Sequence, residues 1–92
     1  MGFVSDVLSE VLARAPQGCV LVTTQSNLNV VAVASHAEIA SVIITSGYTP
    51  GNEVTLRARE EGIGLYTTPL ESFDVVGGLS RLGLKGQRSP RA

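Results

Sequence analysis

Hydroxyl-bearing residues recur in this chain at places where chemistry is often done. Thr23 and Thr24, then Thr45, Ser46 and Gly47, then Thr67 and Thr68 each follow a short apolar run, and Thr23, Thr45 and Thr67 stand 22 residues apart. Hydroxyls and free backbone N–H groups gathered at strand ends can hold a polar or anionic ligand, because helix N-termini point their unpaired donors there. The same residue types are also ordinary turn and N-cap residues, so the pattern makes them candidates for binding and none of them an acid, base or nucleophile. Other candidates are fewer. The single His36 and single Cys19 cannot assemble a zinc site, a disulfide or a Cys/His pair within one chain, so neither a metal nor a cofactor is expected. His36 reads as a surface histidine and Cys19 as a small buried hydrophobe. A serine hydrolase would need His36 beside Asp6 or Asp74 and a Gly-x-Ser-x-Gly turn, which the sequence lacks. Phosphoryl transfer would need a Gly-x-x-x-x-Gly-Lys loop, yet the one lysine is Lys85 near the end of the chain. On these grounds the chain is not expected to be an enzyme.

The elements that would position the hydroxyls are three apolar runs, Cys19 to Thr24, Ser41 to Thr45 and Ile63 to Thr68. They are continuous rather than alternating, which fits parallel strands covered on both faces. Between them lie helical patterns. Phe3 to Ala13 places Val4, Val7, Leu8, Val11 and Leu12 on one helix face before Pro16 and Gly18 stop it. Gln25 to Ser35 reads as a second helix, with Ser26 as its cap and Val30, Val31 and Ala34 as its buried side. A third begins near Pro50, runs through Val54, Leu56 and Ala58, pairs Glu53 with Arg57 on its outer face and ends at Gly62. The last begins at a capping box, Thr68 to Glu71 with Pro69 at the first helical position, and runs through Phe73, Val76, Leu79 and Leu82 to Gly83. Gly77 and Gly78 lie inside it at a cost of about 1 kcal/mol each relative to alanine, so either the helix breaks there or something packs closely against it. The order predicts an α/β fold: a three-layer, mainly parallel small sheet with helices on both faces.

Length and charge bound the rest. Ninety-two residues, 43% hydrophobic and 16% charged, make one small folded domain. Residues 1–84 are expected to form it. Residues 85–92, with Lys85, Arg88 and Arg91 beside Gly86 and Pro90, read as a flexible basic tail. A formal net charge of -1 does not attract nucleic acid or an anionic membrane, and no apolar run reaches the roughly 18 residues of a membrane helix. One cysteine suits a reducing cytoplasm, and the first eleven residues, which include Asp6 and Glu10, lack the basic start of a signal peptide.

Val42 to Val54 (VIITSGYTPGNEV), followed by Glu61 to Phe73 (EGIGLYTTPLESF), resembles the DRTGG domain: an apolar strand, a Gly-x-x-Pro loop, a Glu-bearing helix, a glycine, a strand, and a Thr-x-Pro type turn leading to phenylalanine. The likeness extends back through Ser5 to Leu12 and Gly18 to Thr23, so it covers about Gly2 to Gly83. It looks most similar to stand-alone versions of the domain, whose fold is similar to the N-terminal domain of HPr kinase/phosphorylase. The resemblance implies a non-catalytic regulatory or oligomerisation module with no catalytic residues to carry over, and a "serine kinase" label does not transfer. The Asp-Arg-Thr-Gly-Gly signature itself falls before Phe3, with Gly2 as its remnant, so the chain is expected to begin inside the domain with one sheet edge left unpaired. The implied partner is a second copy, covering Phe3, Val7 and Val11 or the Gly77–Gly78 region. Another protein, or a nucleotide or phosphorylated metabolite on the threonine rim, are the other partner classes left open.

Overall fold

Residues 1–86 are described in a computed structural model of the protein. The three expected strands form as β2 (Val20–Thr23), β3 (Ser41–Ile44) and β4 (Gly64–Thr67), joined by a fourth, β1 (Gly2–Val4), at the chain start. Four helices follow the strands in turn: α1 (Leu8–Arg14), α2 (Leu28–His36), α3 (Asn52–Glu60) and α4 (Ser72–Arg81). The sheet is four-stranded and all parallel in the order β1-β2-β3-β4. Because right-handed crossovers between consecutive neighbours fall on the same side, α1, α2 and α3 lie in a row on one face, with α2 touching both others. The last helix has no strand to return to. It crosses the opposite face over β2 and completes a three-layer α/β fold.

Side-chain parity separates the two faces. Leu21, Val42 and Ile44 point to the three-helix side and join Val11, Cys19, Val30, Val31, Ala34, Val54 and Ala58 in one buried core. Val22, also fully buried, points the other way, towards α4.

Several boundaries differ from the sequence reading. Gly2 to Val4 does not begin a helix. It pairs in register with Val20 to Val22, and the Ser5 carbonyl-side turn, in which the Ser5 hydroxyl accepts from the Val7 N–H at 3.0 Å, separates it from α1. Val11 is therefore inside the protomer's core, whereas Val4, Val7 and Leu12 are exposed. The sheet edge expected to be missing a strand has β1, and beyond it the Gly2 N–H donates to the Lys85 carbonyl at 2.8 Å while Gly86 bridges Gly2. The remainder of the expected tail, residues 87–92, lies outside the described residues. Asn27, not Ser26, caps α2, accepting from the Asn29 N–H at 3.0 Å. Leu56 faces solvent, opposite Val54 and Ala58 on α3. Gly62 follows α3 in the left-handed conformation, as its position required (φ 71°). The expected capping box does not form: Glu71 is the N-cap residue of α4, and the Thr68 hydroxyl instead closes a turn by accepting from the Leu70 N–H.

Candidate functional site

The carboxyl edge of the sheet gathers the expected threonines, but they do different jobs. Register explains why. Thr23 is paired with Ile44 and Ile44 with Thr67, so Thr23 and Thr67 are level while Thr45 stands one residue beyond and points to the other face. Their equal spacing in sequence is not an equal position in the sheet.

Thr23 and Thr24 are held by Asp6, which the turn after β1 brings to the end of β2. One carboxylate oxygen of Asp6 accepts from the Thr24 N–H at 2.7 Å and from the Thr23 hydroxyl at 3.1 Å. The Thr23 hydroxyl in turn accepts from the Gln25 N–H, and the Gln25 amide donates to the Asp6 carbonyl. Burial pushes the Asp6 carboxyl up, but the hydrogen bonds from Thr24 and Thr23 outweigh it and hold the group below its usual value. Thr23 is fully buried and its one hydroxyl proton is already given to Asp6, leaving it no donor to offer a ligand.

Thr45 is also fully buried. Its hydroxyl lies 2.7 Å from that of Ser72 and 3.4 Å from the Thr23 carbonyl, so it fastens the first turn of α4 to the sheet. Ser46 and Gly47 follow with φ of 62° and 78°, a left-handed pair that only a glycine adopts without strain. Their N–H groups donate to the carbonyls of Leu70 and Thr68, and the Ser46 hydroxyl donates to Glu71 at 3.2 Å. These bonds bind the loop after β3 to the loop after β4.

Those two loops then part, one towards α3 on the three-helix face and the other towards α4 on the opposite face. A cavity of about 230 Å³ opens between them, lined by Gly47, Tyr48, Thr49, Thr67, Thr68 and Pro69. Of the seven sequence candidates, Gly47, Thr67 and Thr68 line it, Thr45 and Ser46 brace it from behind, and Thr23 and Thr24 stand apart with Asp6. Charge there is negative. Helices that follow parallel strands run back along them, which places Arg14, Arg57, Arg59 and Arg81 in last turns at the amino edge, and Asp6, Glu53, Glu71 and Asp74 at the carboxyl edge. The rim can hydrogen-bond a polar ligand, but a phosphate would meet carboxylates without a compensating cation among the described residues.

Cys19 is buried in the core, where burial pushes its thiol up. His36 lines a polar groove between α2 and α3 with Arg57, Ser35 and Glu61, the last two hydrogen-bonded at 2.6 Å. The expected Glu53–Arg57 ion pair is not made, and the pair formed among the described residues is Glu10–Arg14.

Two features were not read from the sequence. One is Asp6, the hub of the Thr23 loop, whose signal is only a lone carboxylate after a hydrophobic start. The other is the surface around α4. No α4 residue is fully buried, Phe73 and Leu82 are each 86% exposed, and Tyr66 on the adjoining edge strand is 60% exposed. Beside the helix runs an apolar cleft of about 310 Å³ lined by Ile43, Leu70, Val75, Gly78, Leu79 and Leu82, among others. On its other flank a cavity of about 380 Å³ lies over Val22, between Val4, Val76, Leu79 and Leu84.

No curated protein and no solved structure matches the chain. The sequence profile of the DRTGG domain matches residues 2–82, from the first residue of β1 to the end of α4. A match over so much of the chain places it in a family of regulatory domains: the protein belongs to the DRTGG domain family.

Proposed function

We propose that the protein is a regulatory module that works by associating with a second copy of itself and catalyses no reaction of its own. The observation that carries this reading is the half-covered sheet face, where a single helix lies over β2, an apolar cleft runs beside it between Leu70 and Leu82, and Phe73 and Tyr66 are also exposed. Contiguous apolar surface of this kind marks an interaction site, and a domain this small gains the most from sharing a core. The carboxyl rim supports the non-catalytic part, because its hydroxyls and Asp6 satisfy one another. A cytoplasmic setting belongs to the same proposal and draws on the single, buried, unpaired cysteine. In the described structure no helix is long and apolar enough to cross a membrane. Sedimentation equilibrium of the full chain tests the reading: a mass that rises with concentration to twice 9.6 kDa is expected, and a mass that stays at 9.6 kDa overturns it.

A second reading makes the chain a sensor of a nucleotide or phosphorylated metabolite at the carboxyl edge. It is favoured by the cavity between the diverging loops, the place where open parallel sheets bind ligands, and opposed by the carboxylates around it. Thermal melts against nucleotides, phosphate and phosphorylated metabolites decide between them. A ligand at 100 times its Kd adds about 2.7 kcal/mol, and a shift lost in Thr67→Val would establish the sensor.

A further inference from the structure

Helix α4 contains an arrangement that nothing inside the protomer requires. Asp74 and Arg81 lie seven residues apart, two turns along one face, and Gly77 and Gly78 sit midway between them. Both charged side chains are exposed, and neither makes an ion pair among the described residues. The two glycines are in regular helix, yet a Cβ on either would meet nothing within 4 Å. A pair of interior glycines weakens a helix, and here no neighbouring element of the same chain comes close enough to need their missing side chains.

We infer that α4 packs antiparallel against α4 of a second copy, crossing at Gly77–Gly78. This rests on the self-association proposed above and names its surface. A two-fold axis at the midpoint sets Asp74 opposite the partner's Arg81 and Arg81 opposite the partner's Asp74, so one stripe is complementary to itself when reversed. A parallel pairing would set like charges together. The glycines let the two backbones approach at the crossing, which accounts for their place in the stripe. Gly78 and Asp74 also line the cleft beside α4, so the stripe borders that exposed apolar surface. The charge order and the glycine position both specify a second copy; an unrelated protein would need none of this symmetry.

The test is sedimentation equilibrium of the full chain with Asp74→Arg, Arg81→Asp, the double variant, and Gly78→Leu, each checked for fold by circular dichroism. Either single reversal should raise the dimer dissociation constant at least about tenfold, since each dimer then juxtaposes like charges twice. The double reversal should restore the dimer. Gly78→Leu should dissociate it while the protomer keeps its helix content, because the monomer has room for the side chain. A dimer that ignores the single reversals and Gly78→Leu overturns this surface and leaves self-association standing. Loss of the dimer in both single variants without rescue in a folded double variant overturns the charge pairing, and a wild-type chain that stays monomeric overturns both the surface and the reading beneath it.

Discussion

On one face of the sheet, Leu21, Val42 and Ile44 meet three helices and are sealed by Val11, Val30, Val31, Ala34, Val54 and Ala58, all buried. On the other face a single helix lies over β2, where Val22 and Thr45 are completely buried, and Phe73, Leu82 and Tyr66 are left in solvent. Composition does not separate them, since both faces carry aliphatic residues. What differs is topology: the unbroken order β1-β2-β3-β4 sends every crossover helix to the same side, so the far side receives only the helix left over after the last strand. One face therefore holds the fold, and the other is left half covered and is the one proposed for association.

The largest effect that separates the faces is expected in the sealed core. Ile44→Ala should cost about 3 kcal/mol, the transfer of its methyl groups plus the cavity left behind, and lower the melting midpoint by on the order of 15 °C. Phe73→Ala on the open face should leave the melt of the dilute monomer within about 0.5 kcal/mol of wild type while weakening the dimer. Comparable losses from both, measured by thermal melts at low concentration, would show that the open face contributes to the fold after all.

Next in size is the link between the faces. Thr45→Val removes the hydroxyl that joins Ser72 at the start of α4 and should cost about 1–2 kcal/mol in chemical denaturation, because Ser72 is left without its partner. Ser72→Ala should cost a similar amount, and the double variant less than the sum, since both changes break one bond. Full additivity would mean that the 2.7 Å contact carries no coupling.

How far the fold was legible follows from which interactions are local. The runs ending at Thr23, Ile44 and Thr67 read as parallel strands from their continuous apolar character, but the burial expected of all three holds for β2 and half of β3 and not for the edge strand β4, whose Tyr66 and Thr67 are exposed. Val30, Val31 and Ala34 read correctly as a buried helix face. Gly2 to Val4 could not be read, since three residues are too few to show a period and Val4 also fits the helical spacing of Val7, Leu8 and Val11. Only pairing with Val20 to Val22, some 18 residues away, makes it a strand. The site was less legible still. Equal sequence spacing placed Thr23, Thr45 and Thr67 on one rim, but strand register set Thr45 a residue further on and turned it to the other face. Asp6 reaches Thr23 and Thr24 across 17 and 18 residues, and nothing near it in sequence announces that role.

A smaller effect sharpens the account of α4. Gly77→Ala should stabilise the dilute monomer by up to about 1 kcal/mol, because helix propensity improves and the new methyl group meets open space. Denaturant titration at low concentration measures it. A destabilised monomer would mean that the glycine serves the protomer's own packing, which would remove one of the reasons for assigning it to a partner.

The smallest expected effect lies at Asp6 and is visible mainly in its pH dependence. Its folded pKa is below the unfolded value, so the folded state favours the carboxylate and its contribution is fully present above the unfolded pKa, near 3.9. As pH falls through the folded pKa, the proton removes the charge that accepts from the Thr24 N–H and the Thr23 hydroxyl, and the contribution is lost. Asp6→Asn keeps the size of the side chain and one acceptor oxygen but cannot titrate. Its stability curve should therefore fall less steeply than wild type on acidification below about pH 4, with the two converging at the acid end. Parallel curves from neutral pH downwards would show that the Thr23 loop is held without the carboxylate's charge, and that the anionic character of this end of the rim is incidental to the fold.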